Sequence, residues 1–279
     1  MIIAIFPNVR KRDSKNLALG IVEFLQRHDV QVVAEDEDAE AIGVQPISAV
    51  DKQQINFLIS MGGDGTILRL AHKYGNLNAA ILGINLGHLG FMADVPISDI
   101  YPSLQDLLGG VYTIENRIII QGESSKGKKT FAINDFVIHR GQNPSLVEIA
   151  IHVDGLYLNT FEADGIILAT PNGSTAYSLA AGGPIIAPSL EAFVITPISP
   201  HTISNRPIVL TSNQVIQMQY LSEYAPVDVI ADGIHNFPLA TGEVFSFSCS
   251  HKSFKLVNLL RRDYFSTLRT KLGWSGKLR

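Results

Sequence analysis

The spacing of apolar residues changes part-way along the chain. Through residue 108, short unbroken apolar runs alternate with stretches in which apolar residues recur every three or four positions. The runs predict strands buried on both faces of a parallel sheet, and the periodic stretches predict helices. Residues 2–6, 31–34, 55–60 and 79–85 are the expected strands. Leu17, Ile21, Phe24 and Leu25 mark a helix that Asp13 or Ser14 can cap, and Ile67, Leu68, Leu70 and Ala71 mark a second. A third is expected over 97–108, stopped by Gly109-Gly110. The acidic run Glu35–Glu40 is expected as a solvated loop. Alternation at this spacing argues for a doubly wound, Rossmann-like α/β sheet with its ligand crevice at the C-terminal strand ends.

From Tyr112 onward the apolar positions fall in short alternating segments: 114–121, 130–139, 146–153, 156–161, 165–169, 192–195, 208–210, 215–218, 227–231 and 244–249. Turn signals such as Lys126-Gly127-Lys128, Asp154-Gly155 and Asp232-Gly233 separate them, which predicts an antiparallel β-rich region. A last strand over 255–260 precedes a helix over 261–272, with Tyr264, Phe265, Leu268 and Leu272 on one face. The expected organisation is an α/β domain over 1–112, with 256–279 packing back onto it, and a β-rich domain over 113–255.

Candidate chemistry sits at the turns. Gly62-Gly63-Asp64-Gly65-Thr66 joins an apolar run to a helical pattern. One glycine suffices for a positive φ, so three around a carboxylate suggest a backbone stripped of side chains so that phosphate oxygens can approach its N–H groups. A carboxylate in such a place either holds a metal ion, accepts a proton from an attacking hydroxyl, or caps the helix behind it. A second glycine turn runs from Leu86 to Met92, where His88 is either a proton carrier or a hydrogen-bonded turn residue. Gly83, Gly87 and Gly90 do not fit G-x-G-x-x-G, so the dinucleotide fingerprint is absent.

Gly122–Lys129 approaches a P-loop, but Lys129 stands where the metal-binding hydroxyl belongs, in a hairpin context. Asn134 and Asp135 are poor strand formers inside an apolar run and need partners, from backbone or ligand. The small-residue loop Thr170–Pro184 feeds a short helix that Ser174 or Thr175 can cap, a second place where backbone donors meet a polar ligand.

Composition narrows the class. A chain of 279 residues, 46% hydrophobic and 17% charged, is globular and not disordered. A net charge of -4 argues against a nucleic-acid partner held by bulk charge. Cys249 is the only cysteine, so neither an intrachain disulfide nor a cysteine-cluster metal site is available. No basic leader precedes Ile2–Phe6, and no apolar run reaches membrane-spanning length, so a cytoplasmic location without membrane partners is expected.

The blocks GGDGT at 62–66, N-D-x-x-x-x-R at 134–140, DGIILATPNGSTAYS at 164–178, SLAAGGP at 178–184 and SPHTISNRP at 199–207 follow one another in an order that resembles the bacterial NAD kinases over nearly the whole chain. The resemblance implies an α/β domain, a β-rich domain and a final helix returning to the first. It implies ATP-dependent phosphorylation of the 2′-hydroxyl on the adenosine ribose of NAD, with Mg²⁺ or another divalent cation, by a homodimer or homotetramer. Asp64 matches the family's catalytic aspartate. Gly62, Gly63, Gly65 and Thr66 match its phosphate-binding turn. Asp64, Gly65, Phe91, Asn134, Asp135, Asp164, Asn172, Thr175, Ala176 and Tyr177 match positions that contact NAD; direct metal ligands are not assigned.

Asp135 stands where Glu is often seen, and Asn172 where Thr or Ser is commoner. On chemical grounds a carboxylate at 135 can accept from two hydroxyls at once, and Tyr177 offers a flat face for a ring. Two alternatives remain open from sequence: a lipid kinase sharing the GGDGT turn, and a non-catalytic NAD or NADP sensor.

Overall fold

The computed structural model describes residues 1–8, 12–87, 89–202 and 204–276. His88 lies outside the described residues. The chain forms two compact units, Met1–Asn116 with Phe254–Arg279, and Arg117–Ser253.

In the first unit, β1 (Ile2–Phe6), β2 (Gln31–Ala34), β3 (Gln45–Pro46), β4 (Ile55–Met61), β5 (Ala80–Asn85), β6 (Val95–Pro96) and β7 (Thr113–Arg117) share a sheet with a late strand, Phe254–Asn258. The order is β3-β2-β1-β4-β5, then the late strand, then β7, with β6 pairing β5. Pairing is parallel from β3 through to the late strand. The chain builds outward from β1 in one direction, then returns to place β4 on the other side. That reversal is a topological switch point, where open α/β sheets bind ligands beyond their C-terminal strand ends. The unit runs past residue 112 because Thr113–Arg117 completes this sheet's edge.

Helices α1 (Arg12–Gln26), α2 (Asp36–Ile42), α3 (Asp64–Tyr74) and α4 (Ile100–Leu108) belong to the same unit. Ile21 and Leu25 of α1 and Leu104 of α4 are fully buried in one core cluster with Ile3, Ile5 and Ile59 of the sheet. Two expectations fail locally. Helix α1 starts at Arg12, ahead of both suggested caps, and Ser14 Oγ instead accepts from the backbone N–H of Asn8 at 3.0 Å. The acidic run is helical: Asp36, Glu37 and Asp38 fill the first turn of α2, where carboxylates complement the helix dipole, while Ala39 and Ile42 are buried.

The second unit stacks two six-stranded sheets. Its strands are β8 (Ile120–Ser124), β9 (Lys129–Ala132), β10 (Asp135–His139), β11 (Val147–Val153), β12 (Leu156–Ala163), β13 (Gly165–Ala169), β14 (Ala192–Ile198), β15 (Ile208–Thr211), β16 (Ile216–Tyr220), β17 (Val227–Ala231), β18 (His235–Leu239) and β19 (Val244–Cys249). The orders are β15-β14-β13-β10-β17-β18 and β12-β11-β16-β19-β8-β9, and neighbouring strands pair antiparallel. Alternate residues of each sheet, among them Phe136, Ile166, Leu168 and Val229 facing Ile149, Met218, Phe245 and Phe247, make the shared core.

Strand β18 escaped the sequence reading because His-Asn-Phe-Pro-Leu does not alternate; Pro238 is tolerated there because β18 is an edge. The single strand expected over 130–139 is broken at Ile133-Asn134. The carboxylate of Asp232, at the β17–β18 turn, takes the N–H groups of Ile133, Asn134 and Asp135 that a continuous strand would donate to a neighbour.

Past β19 the chain rejoins the first unit as β20 (Phe254–Asn258) and a closing helix, Tyr264–Leu272. Asp263 caps that helix by accepting from Ser266 N at 2.9 Å. Leu268 and Thr267 are its buried residues, whereas Phe265, expected on the packed face, is 63% exposed.

Candidate functional site

The first cluster of functional residues lies in the first unit. Strand β4 ends at Met61 and α3 begins at Asp64, with Gly63 in extended conformation as its N-cap. The carboxylate of Asp64 does not cap its helix. It turns toward the segment that follows β5, where Oδ1 accepts from the N–H groups of Met92 and Ala93 at 3.0 and 2.9 Å, and Oδ2 from that of Phe91 at 2.8 Å. A carboxylate has about four lone-pair directions. Three are taken by backbone, which fixes the group's position and leaves an acceptor direction on Oδ2.

The glycines around it fall into two kinds. A side chain at Gly90 would overlap Asp64 Oδ1, and one at Gly62 would overlap Thr66 Oγ1, so these two are required by packing within the chain. A Cβ at Gly63 or Gly65 would meet nothing within 4 Å. Their backbone faces open space, as an approaching ligand needs.

Phe91 supplies one N–H to Asp64, and its ring stands 6.4 Å from that of Tyr264, with Lys271 Nζ 5.6 Å from its centroid. The closing helix thus braces the segment that holds Asp64. Asp94, which the sequence reading passed over, follows the three donors directly. Burial, first, pushes its carboxyl up to about 6; the Arg262 guanidinium opposes this, and the Glu115 and Asp64 carboxylates reinforce it.

The second cluster lies in the second unit, around a cavity of about 390 Å³ lined by Asn134, Asp135, Val137, His139, Tyr177 and Asp232, among others. Asp135, Val137 and His139 alternate along β10 and so share one face of the sheet. Asp135 is 6% exposed, and burial, followed by the neighbouring Asp232 carboxylate, pushes its carboxyl from 3.8 up to about 7. Asn134 Oδ1 accepts from Asn172 Nδ2 at 2.6 Å, which draws the Pro171–Ala176 loop over the end of β10. The loop is fixed further by Thr170 Oγ1 donating to Ile133 O at 2.6 Å, and by Gly173, whose missing side chain makes room for the carbonyl of Asn134.

Neither Ser174 nor Thr175 caps the short helix α5 (Tyr177–Ala180), for which Ala176 is the N-cap. Ser174 is wholly buried and holds the loop's return, accepting from Ile186 N at 3.0 Å, and Thr175 Oγ1 donates to Asn172 O at 3.1 Å. Tyr177 is 42% exposed at the cavity, not a core residue.

The structure brings Asn134, Asp135, Ala176 and Tyr177 together around this cavity. Asn172 and Thr175 are in the loop beside them. Asp164 is elsewhere: it precedes β13 at the far end of its pairing with β10, where Arg140 Nε donates to its carboxylate at 2.6 Å. Asp232 was missed. In sequence it reads as half of an ordinary Asp-Gly turn, and its positive φ of 50° fits that role. Nothing local marks the contact its carboxylate makes about a hundred positions away.

A divalent cation finds no protein cage: among the described residues, no group of three or more His, Cys, Asp or Glu side chains is placed to hold a metal. No helix among them is long and apolar enough to cross a membrane.

Residues 3–112 match the sequence model of the ATP-NAD kinase N-terminal domain, and residues 133–259 that of the ATP-NAD kinase C-terminal domain. An NAD kinase of Protochlamydia amoebophila (strain UWE25) is 56% identical over 277 residues, covering 99% of each chain. An NAD kinase of Moorella thermoacetica is 35% identical over 279 residues, covering 98% of this chain and 90% of that one. Among solved structures, a yeast NADH kinase complexed with NADH aligns with a TM-score of 0.88 at 27% identity, covering 100% of this chain and 89% of that one. An NAD kinase from Archaeoglobus fulgidus in complex with ATP aligns with a TM-score of 0.76 at 26% identity, covering 99% of this chain and 100% of that one.

Proposed function

The chain belongs to the NAD kinase family, and from that premise we propose that it moves the γ-phosphoryl group of ATP onto the 2′-hydroxyl of the adenosine ribose of NAD, yielding NADP and ADP. One observation carries the chemical reading: a carboxylate pinned by three consecutive backbone N–H groups, beside glycines whose backbone is open. In this reading the hydroxyl proton goes to Asp64 Oδ2 as the ribose oxygen bonds to phosphorus and the bond from phosphorus to ADP breaks. The open N–H groups at Gly63 and Gly65, with Gly62 and Thr66 shaping the turn, receive phosphate oxygens. Among the described residues no group of side chains would cage a divalent cation, so one would be held by the phosphates of ATP, whose charge it would offset.

NAD occupies the cavity of the second unit. Asn134 and Asp135 bind nucleotide hydroxyls, Tyr177 lies against a ring, and the 172–176 backbone closes over it. In the first unit, Phe91, Gly65 and Asp64 are the further positions that the family resemblance gives as NAD contacts. Asp164, paired with Arg140 and outside the cavity lining, is kept as an NAD contact on the family resemblance alone. The enzyme acts in the cytoplasm as a homodimer or homotetramer. No observation favours the lipid-kinase or sensor alternative.

The test is formation of NADP by the purified chain from NAD, ATP and Mg²⁺, read by a coupled NADP-dependent dehydrogenase. Turnover above about 1 s⁻¹ is expected, the lower end of the usual enzyme range. NAD binding without any NADP formation would leave a sensor and refute the kinase.

A further inference from the structure

Asp135 is a buried carboxyl that receives no hydrogen bond from the protein among the described residues, yet it lines an open cavity. A buried polar group in that condition is costly unless a ligand completes it or a proton neutralises it. Its nearest charged neighbour is another carboxylate. Asp232 is held in place by the N–H groups of Ile133 and Asn134, each at 2.8 Å, and of Asp135 at 3.1 Å, while its own N–H donates back to Asp135 O at 3.0 Å. Three acceptor directions of Asp232 are thus taken by backbone, and it fixes the strand end from which Asn134 and Asp135 project. Burial first, and then the neighbouring Asp232 carboxylate, disfavour ionisation of Asp135, which has no donor to offset them.

Resting on the reading of this cavity as the NAD site, we propose that burial and the adjoining Asp232, a positioning residue, keep Asp135 protonated in the empty cavity, and that NAD binds with expulsion of that proton as two of its hydroxyls donate to the Asp135 carboxylate. The hydroxyls supply the donors that the protein withholds, and charge-assisted hydrogen bonds to the ionised form are stronger than those to the neutral acid. The proton passes to solvent; no other bond changes.

Other ionisable groups face Asp135 from each neighbouring element. His139 shares its face of β10, with Asp228 of β17 opposite it in the register; Tyr177 stands on α5, and Asp232 on the β17–β18 turn. The cavity lining includes no Lys or Arg to hold Asp135 ionised in advance. His139 Nδ1 already accepts from Gly141 N at 3.1 Å, which makes it the group most in need of separate control.

The experiment is calorimetric titration of NAD into the full chain without ATP, repeated at each pH in phosphate and in Tris, whose protonation enthalpies differ. With a carboxyl that ionises at about 7 in the empty protein, about half a proton is released per NAD at pH 7, rising toward one proton near pH 6. Asp135→Asn abolishes the release, His139→Gln preserves it, and Asp232→Asn moves its pH dependence to lower pH by removing the like charge. Heats that are the same in both buffers from pH 6 to 8, or a release that survives Asp135→Asn, would overturn the proposal. NAD binding without proton release, in a chain that still forms NADP when ATP and Mg²⁺ are added, would sink this proposal alone. Absence of any NAD binding would sink the reading of the cavity with it.

Discussion

Asp135 illustrates how a ligand-binding group lowers the stability of the protein that carries it. In the unfolded chain its carboxyl loses its proton near 3.8; in the folded protein the proton stays up to about 7. Between those values the folded state binds more protons than the unfolded one, so stability contributed below pH 4 is lost as the pH rises toward 7. Asp135→Asn removes that loss. The variant is expected to be more stable than the parent at pH 8, by on the order of 2 to 4 kcal/mol, with the difference fading toward pH 4. Urea unfolding at pH 4.5, 6 and 8 measures this, and equal stability at all three contradicts it. Part of the feature was legible in sequence, because Asn134-Asp135 interrupts an apolar run. Asp232 was not: a carboxylate that serves residues so distant in the chain looks like any Asp before Gly in a hairpin turn.

At the scale of elements, the two glycine turns act as one structure. The segment after β5 donates its N–H groups to the residue that opens α3, and Gly90 lets it come close enough to do so. Gly90→Ala forces a methyl group against Asp64 Oδ1 and is expected to destabilise the protein by about 1 to 3 kcal/mol while lowering kcat. Gly63→Ala meets no protein atom. It is expected to leave the melting temperature unchanged and raise KM for ATP, because the methyl stands where phosphates approach. Steady-state kinetics with thermal unfolding separates the two; the same behaviour in both variants would refute the division of the glycines into packing and ligand-facing kinds. The glycine spacing was visible in sequence, but which glycines serve the fold depends on the loop after β5. The acidic run that became α2 was misjudged for a similar reason. Its charges mark an exposed face, and Ala39 and Ile42, too few to show a period, mark the buried one.

For the whole molecule, continuous apolar runs up to residue 108 and alternating ones beyond it were enough to separate a parallel α/β sheet from an antiparallel β-rich unit. The edges were harder. Thr113–Arg117 is a polar edge strand whose membership is decided by the partner it finds, and the closing helix turns Leu268 inward and leaves Phe265 out because Asp263 fixes where the helix starts. The proposed function divides along the same line. Asp64 belongs to the first unit, and the cavity assigned to NAD is lined by the second. Chemistry and NAD affinity are then separable by substitution. The most direct measurement is kcat for Asp64→Asn beside the affinity of that variant for NAD. A fall in kcat of roughly 10² to 10⁴, with NAD affinity within about tenfold of the parent and a folded protein by circular dichroism, is the predicted result. Turnover within about tenfold of the parent in that folded variant would contradict the role of Asp64 as the proton acceptor.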